Sequence, residues 1–261
     1  MTFETIRAER QGDVLVVTLN RPERLNAAPP AMFAEIGAAL DAREGARAVL
    51  ITGEGRAFCS GADLAGRDQA ASQSPAKRAG DALRSGYNPL MLKLARLPVP
   101  IVSAVNGAAA GIGCSLALAA DFCVAGESGY FLQAFVNIGL VPDGGASWML
   151  ARLVGKARAT EMMLLGERIY GPRAADWGLI HKCVPDAELM PTAMALAERL
   201  AAGPTVALGL MRQGLAAALE SDYASALDGE AERQMQAGAT ADAVEGAVAF
   251  LQKRKPAFKG A

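Results

Sequence analysis

From residue 97 to residue 120 the chain carries no charged side chain, reading Leu-Pro-Val-Pro-Ile-Val-Ser-Ala-Val-Asn-Gly-Ala-Ala-Ala-Gly-Ile-Gly-Cys-Ser-Leu-Ala-Leu-Ala-Ala. A run of this length approaches the roughly 20 apolar residues that a membrane-spanning helix needs. Its content argues against a span: Pro98 and Pro100 open it, Asn106 interrupts it, and Gly107, Gly111 and Gly113 cluster in its middle. The run parses instead as a buried strand over 101–105, a small-residue turn over 106–112 and a helix over 113–120.

That parse carries chemistry. Glycine lets a backbone pass close to a ligand. The first amides of a helix lack intrahelical partners, and the helix dipole favours negative charge in front of them. A strand, glycine turn and helix therefore make a ready site for an anion, or for an oxyanion that forms during reaction. Tight packing of a turn in any α/β protein would use the same residues. Gly111-Ile112-Gly113 lacks the third glycine of the dinucleotide-binding fingerprint.

With 261 residues, the chain fits one large domain, or one domain with an appendage, and 52% hydrophobic content supports a sizeable core. A net charge of −1 gives no case for nucleic acid or for an anionic membrane as partner. Cys59, Cys114, Cys123 and Cys183 show no metal-ligand spacing, so no metal site is expected, and they read as buried thiols of a reducing compartment. The first residues pass straight into an alternating strand pattern with no leader in view, and a cytoplasmic location is the expectation.

In chain order, strands are expected over 5–10 and 14–19 around Gln11-Gly12-Asp13, then a polar loop and a helix over 31–42. A buried strand over 48–52 leads into a second glycine-rich loop, Gly53 through Ala57-Phe58-Cys59-Ser60-Gly61-Ala62-Asp63-Leu64. Residues 66–85 are polar and small, a candidate lid. A helix over 87–96 precedes the central strand. Beyond the central helix come strands near 122–125 and 129–131, a turn over 138–145, helices over 146–153, 157–165 and 173–177, and a last strand at 182–184. From residue 187 everything reads helical, as four segments over 187–202, 205–219, 222–237 and 241–253. We expect a core over residues 1–195 and a helical region over 196–261 that buries its apolar face on the core or on a neighbouring subunit.

The two glycine loops together resemble the crotonase (enoyl-CoA hydratase/isomerase) superfamily. The resemblance is carried by Asn20-Arg21-Pro22 with Asn26-Ala27, Ala57 to Leu64, Asn106-Gly107, Gly111-x-Gly113-Cys114, Ala120-Asp121, Ile138-Gly139-Leu140-Val141-Pro142 and the tail from Glu245-Gly246 to Lys253-Arg254. It implies an α/β fold, a spiral of ββα units with a C-terminal helical trimerisation region. It also implies acyl-CoA thioester substrates, no cofactor beyond the CoA moiety, and a homotrimer or dimer of trimers. The family's oxyanion hole is two backbone amides, which fall here on Ala62 and Ile112. Two amides aimed at a thioester enolate oxygen stabilise any reaction passing through the enolate, at roughly 3 kcal/mol per donor.

The chain departs from the hydratase pattern. Where family hydratases carry two glutamates, this sequence has Ser115 and Phe135. The remaining acid is Asp143 in Val141-Pro142-Asp143-Gly144-Gly145, similar to the isomerase-like branch that includes the phenylacetate-pathway ring-epoxide isomerase. Asp143 also stands just before a helix, where Asp is a favoured N-cap. The resemblance implies catalytic roles for Asp143, Ala62 and Ile112. It implies substrate or CoA contacts for Arg24, Ala27, Ser60, Asp63, Leu64, Gly111, Phe135 and Lys259, Asp63 also being suited to holding its loop. The function expected is an acyl-CoA isomerase in which Asp143 carries a proton between carbons. The alternatives are an enoyl-CoA hydratase, a non-catalytic acyl-CoA-binding homologue, and a serine peptidase pairing Ser115 with His181, the sole histidine.

Overall fold

The computed structural model describes residues 2–63 and 74–261. Strands β1 (Ile6–Gln11) and β2 (Val14–Leu19) form the expected hairpin, with Gly12 at φ +58° in its turn. The chain then builds helix α1 (Pro30–Asp41), β3 (Ala48–Gly53) and β4 (Ala57–Cys59). Helix α2 (Pro75–Ala82), a π turn (Leu83–Tyr87) and α3 (Asn88–Arg96) lead into β5 (Ile101–Val105), β6 (Ala108–Ala110) and α4 (Ile112–Leu118). Of the expected lid, residues 66–73 lie outside the described residues, and 75–85 are helical, with Ser74 capping α2 through the Lys77 amide. The central turn holds its own short strand, β6, which the alanine run did not signal.

After α4 come β7 (Phe122–Gly126), β8 (Tyr130–Leu132), a 3-10 turn (Ala134–Ile138) and α5 (Ala146–Leu165). Helix α5 merges the two segments expected over 146–165. The break between them is Gly155, at φ +73° and ψ 165°. Then follow β9 (Ile169–Tyr170), α6 (Gly171–Asp176), β10 (Lys182–Val184), α7 (Leu189–Ala201), α8 (Thr205–Ala218), α9 (Tyr223–Gly238) and α10 (Ala241–Leu251).

Among the described residues the strands form two sheets. The larger runs β1-β2-β3-β5-β7-β10, parallel except for the β1/β2 hairpin, and the smaller runs β4-β6-β8-β9. Each unit passes from a strand of the larger sheet into a short strand of the smaller one: β3 to β4, β5 to β6, β7 to β8. The crossover strands are buried on both faces, as parallel sheets require. Val49, Ile51, Ile101 and Val105 face one core, with α1 and α4. Leu50, Val102, Ala104 and Val124 face a second core covered by Leu189, Ala193, Ala197 and Ala201 of α7. The boundary expected at 195/196 therefore falls inside a core helix, and the change of structure comes after Ala201.

Candidate active site

The site forms where β4 and β6 end, and three close approaches position it. A Cβ on Gly113 would lie 2.3 Å from the Cys59 carbonyl oxygen, so only glycine lets the start of α4 sit against the end of β4. Gly61, at φ +113°, turns its loop against the Ala110 carbonyl. Gly111, at φ +53°, lies against the Phe135 ring and donates its N–H to the Leu132 carbonyl at 2.9 Å.

Both candidate donor amides follow from this packing. Ile112 is the first residue of α4, where an N–H has no carbonyl one turn earlier to donate to. Ala62 forms an isolated parallel bridge with Ala28, made by Ala28 N–H to Gly61 O at 2.8 Å and Asp63 N–H to Ala28 O at 3.0 Å. In such a bridge the middle residue points its own N–H away from the partner strand, which here is the far side from Ala28.

Asp143 is brought to the same place. The Ser115 hydroxyl donates to the Asp143 carbonyl at 2.9 Å, and a Cβ on Gly144 would lie 2.4 Å from Ile112 Cδ1. The 143–145 turn therefore rests on the first turn of α4. The N-cap of α5 is Gly145, with no side-chain cap, so the capping role open to Asp143 in the sequence is not the one the fold uses. The sequence position of Gly144-Gly145, at φ +59° and +83°, explains why: the turn needs two left-handed residues before the helix starts.

The other expected residues divide. Phe135 is buried against Gly111. Ser60 is half-buried, and its hydroxyl reaches the Arg24 carbonyl at 3.4 Å. Arg24 is half-exposed, with its guanidinium 3.9 Å from the Asp63 carboxylate. Ala27 is half-buried in the facing segment. Asp63 holds the loop, paired with Arg21 at 2.8 Å. Leu64 lies outside the described residues. Lys259 is not brought to this site within one chain. Its amide donates to Asp242, and it lines a cavity of about 650 Å³ with Arg47, Pro98 and Thr205, at the start of β3 and β5 and so at the opposite end of those strands.

Sequence reasoning missed Arg21, Asn26 and Tyr87. Arg21 Nη1 bridges the Ala27 carbonyl and the Asp63 carboxylate. Asn26, fully buried at φ +54°, donates to the Glu54 and Ala57 carbonyls and accepts from the Arg21 amide. Tyr87 donates its hydroxyl to the Ala28 carbonyl at 2.9 Å. The Asn20-Arg21-Pro22 and Asn26-Ala27 motif was the signal for Arg21 and Asn26, without a role attached, and Tyr87 had none.

The peptidase pairing fails on geometry. Ser115 is buried and turned to the Asp143 carbonyl. His181 stacks edge-on against Phe122, with centroids 5.0 Å apart, beside Leu118 and Asp121 at the far end of α4. Cys59 is no nucleophile either, because burial pushes its thiol up to about 12. Cys114 and Cys123 are likewise buried and pushed up to about 12, whereas Cys183 is only partly buried. Among the described residues no cluster of metal-ligating side chains occurs, and no helix is long and apolar enough to cross a membrane.

The chain is similar along its whole length to known proteins. The enoyl-CoA hydratase/isomerase family profile matches residues 9–261. The 1,2-epoxyphenylacetyl-CoA isomerase of Escherichia coli is 42% identical over 99% of both chains. A Rhodobacter capsulatus protein named "probable enoyl-CoA hydratase" is 45% identical over 100% of both. Among solved structures, an enoyl-CoA hydratase from Polaromonas superposes with a TM-score of 0.91 at 35% identity, covering 97% of this chain and 99% of that one. A Geobacillus kaustophilus enoyl-CoA hydratase subunit gives 0.90 at 35% identity over 99% of both. With a crossover of two sheets ending in paired glycine loops and these full-length matches, the chain belongs to the enoyl-CoA hydratase/isomerase family and has the crotonase fold.

Proposed function

We propose that the protein is an acyl-CoA isomerase that shifts a double bond, or carries out a related ring-epoxide rearrangement, with Asp143 as the proton carrier. The observation that supports this reading is the seating of the 143–145 turn on the side chains of Ile112 and Ser115, which holds the backbone that carries Asp143 against the first turn of α4. The two positions that hold glutamates in family hydratases are Ser115 and Phe135, neither of which titrates near neutral pH. Asp63 is engaged by Arg21. The isomerase name of the Escherichia coli relative agrees with this reading, and the hydratase name of the Rhodobacter relative sets the competing outcome.

The steps follow from the groups in place. The thioester carbonyl acidifies the neighbouring carbon. The Asp143 carboxylate takes a proton from that carbon, and the electron pair of the broken C–H bond moves into the enolate. Its oxygen sits between the Ala62 and Ile112 N–H groups, which stabilise charge only as it develops. The protonated Asp143 then returns the same proton to the γ carbon, and the double bond ends conjugated with the carbonyl. We assign Arg24, Ser60, Ala27 and Asp63, which belong to or contact the segments flanking Ala62, to the CoA side of the substrate. The chemistry needs no cofactor beyond the CoA moiety.

A turnover screen tests the reading. β,γ-unsaturated acyl-CoAs should convert to α,β-unsaturated products, with water addition to crotonyl-CoA feeble. Hydration at rates near those of dedicated hydratases would overturn it in favour of the hydratase reading, and binding without turnover would favour the non-catalytic one. The same reading includes a homotrimer or dimer of trimers, supported by the apolar residues that α8 to α10 leave exposed.

A further inference from the structure

We propose that Tyr87 and Arg21 are positioning residues that set the direction of the Ala62 N–H, one gripping the strand behind it and the other the residue after it. The proposal rests on the oxyanion role given to Ala62 above. The direction of that N–H depends on two hydrogen bonds, Ala28 N–H to Gly61 O and Asp63 N–H to Ala28 O. Both pass through Ala28, so whatever fixes Ala28 fixes the amide.

Tyr87 fixes it from behind. The Ala28 carbonyl accepts from Asp63 N–H at 3.0 Å and from the Tyr87 hydroxyl at 2.9 Å, one donor for each of its two lone pairs. Ala28 and Tyr87 are both buried, so no water competes for that carbonyl. The Tyr87 ring is itself locked, edge-on to the buried Phe33 with centroids 4.9 Å apart and planes at 82°. It stands at the end of the π turn, a local helix form frequent at functional sites. That turn packs so tightly that a Cβ on Gly86 would lie 2.8 Å from Pro30 Cβ. Tyr87 thus reaches the Ala28 carbonyl from a rigid base.

Arg21 fixes the other side. One nitrogen, Nη1, donates both to the Ala27 carbonyl and to the Asp63 carboxylate, joining the residue before Ala28 to the residue after Ala62. Its backbone N–H is held in turn by buried Asn26. Both bonds leave Nη1, whose two N–H directions are fixed by the guanidinium plane, whereas a lysine ammonium is a rotating point charge on a shorter, more mobile stem.

The test reads the carbonyl of a bound, unreactive thioester. Infrared difference spectra are taken of [1-13C]phenylacetyl-CoA bound to wild type, Tyr87→Phe, Arg21→Lys and Asp143→Asn, each checked for an unchanged far-ultraviolet circular dichroism spectrum. Two well-aimed amides polarise the carbonyl and lower its stretching frequency. The shift should be full in wild type and in Asp143→Asn. It should be less than about half in Tyr87→Phe and in Arg21→Lys, with kcat for isomerisation down roughly tenfold and KM within about twofold. A purely structural role would lower stability and leave the frequency alone. A full shift in both variants overturns the positioning proposal and leaves the oxyanion reading standing. No shift in wild type overturns the oxyanion reading, and the positioning proposal with it.

Discussion

The residues that build the site fall into two kinds. Glycines were legible because Gly61, Gly111 and Gly113 sit in short motifs between a strand and a helix, although the atoms that require them, Ala110 O, the Phe135 ring and Cys59 O, lie across the fold. The roles of Arg21, Asn26 and Tyr87 were not legible because at least one partner of each lies far along the chain. Asp63 is 42 residues from Arg21, and Ala28 is 59 from Tyr87. No local pattern encodes such a pairing. Asp143 was legible as an acid at a turn, but not which of two roles the turn would give it. Gly113 yields a prediction at this scale. Alanine is the better helix former by about 1 kcal/mol, which alone would stabilise α4 in Gly113→Ala. Against that, the added carbon meets the Cys59 carbonyl at 2.3 Å and Cys59 Cβ at 2.7 Å, and overpacking against backbone costs about 1–3 kcal/mol. We expect a net loss of up to about 2 kcal/mol in urea unfolding; a stabilised variant would contradict the close approach.

Elements with strong periodicity were read nearly to the residue: α1, α3, β2, β3, β5 and the four last helices. The short strands β4, β6 and β9 were missed. At two or three residues they have too little sequence for an alternation to register, and their existence depends on neighbours in the smaller sheet. One element-scale attachment carries a pH dependence. After α10 the chain folds back, and the Glu245 carboxylate accepts from Arg254 at 2.7 and 2.9 Å and from the Ala257 N–H at 2.7 Å. The Arg254 hydrogen bonds, chiefly, pull its pKa from an ordinary value near 4.5 to about 2. A depressed folded-state pKa means the attachment is complete above pH 4.5 and is lost as pH falls through about 2. The Ala257 amide resonance should therefore move with acid across that window, and Glu245→Gln should abolish the movement. A wild-type titration centred at the ordinary carboxylate value would contradict the tight attachment.

For the whole molecule, composition and charge bounded the class and the glycine loops pointed to the family. The order β1-β2-β3-β5-β7-β10 was not in the composition, because pairing between strands separated by a helix follows from packing and not from local propensity. The helices after Ala201 leave Met211, Leu215, Tyr223, Phe250 and Leu251 each more than 60% exposed, more apolar surface than an isolated chain in water keeps at no cost. Light scattering should give three or six times 27.0 kDa, and a stable 27.0 kDa species at micromolar concentration would contradict the proposed assembly.

The central claim is that Asp143 carries the proton. Asp143→Asn keeps the side chain's shape, and with Gly145 as the N-cap of α5 it removes no helix cap, so the fold should be retained. It cannot accept a proton. The measurement is the rate at which wild type and Asp143→Asn convert a β,γ-unsaturated acyl-CoA to its α,β isomer, with acyl-CoA affinity taken by calorimetry on the same samples. The account predicts affinity nearly unchanged and a rate lower by the 10² to 10⁴-fold typical of losing a general base. A variant that isomerises at the wild-type rate would contradict it.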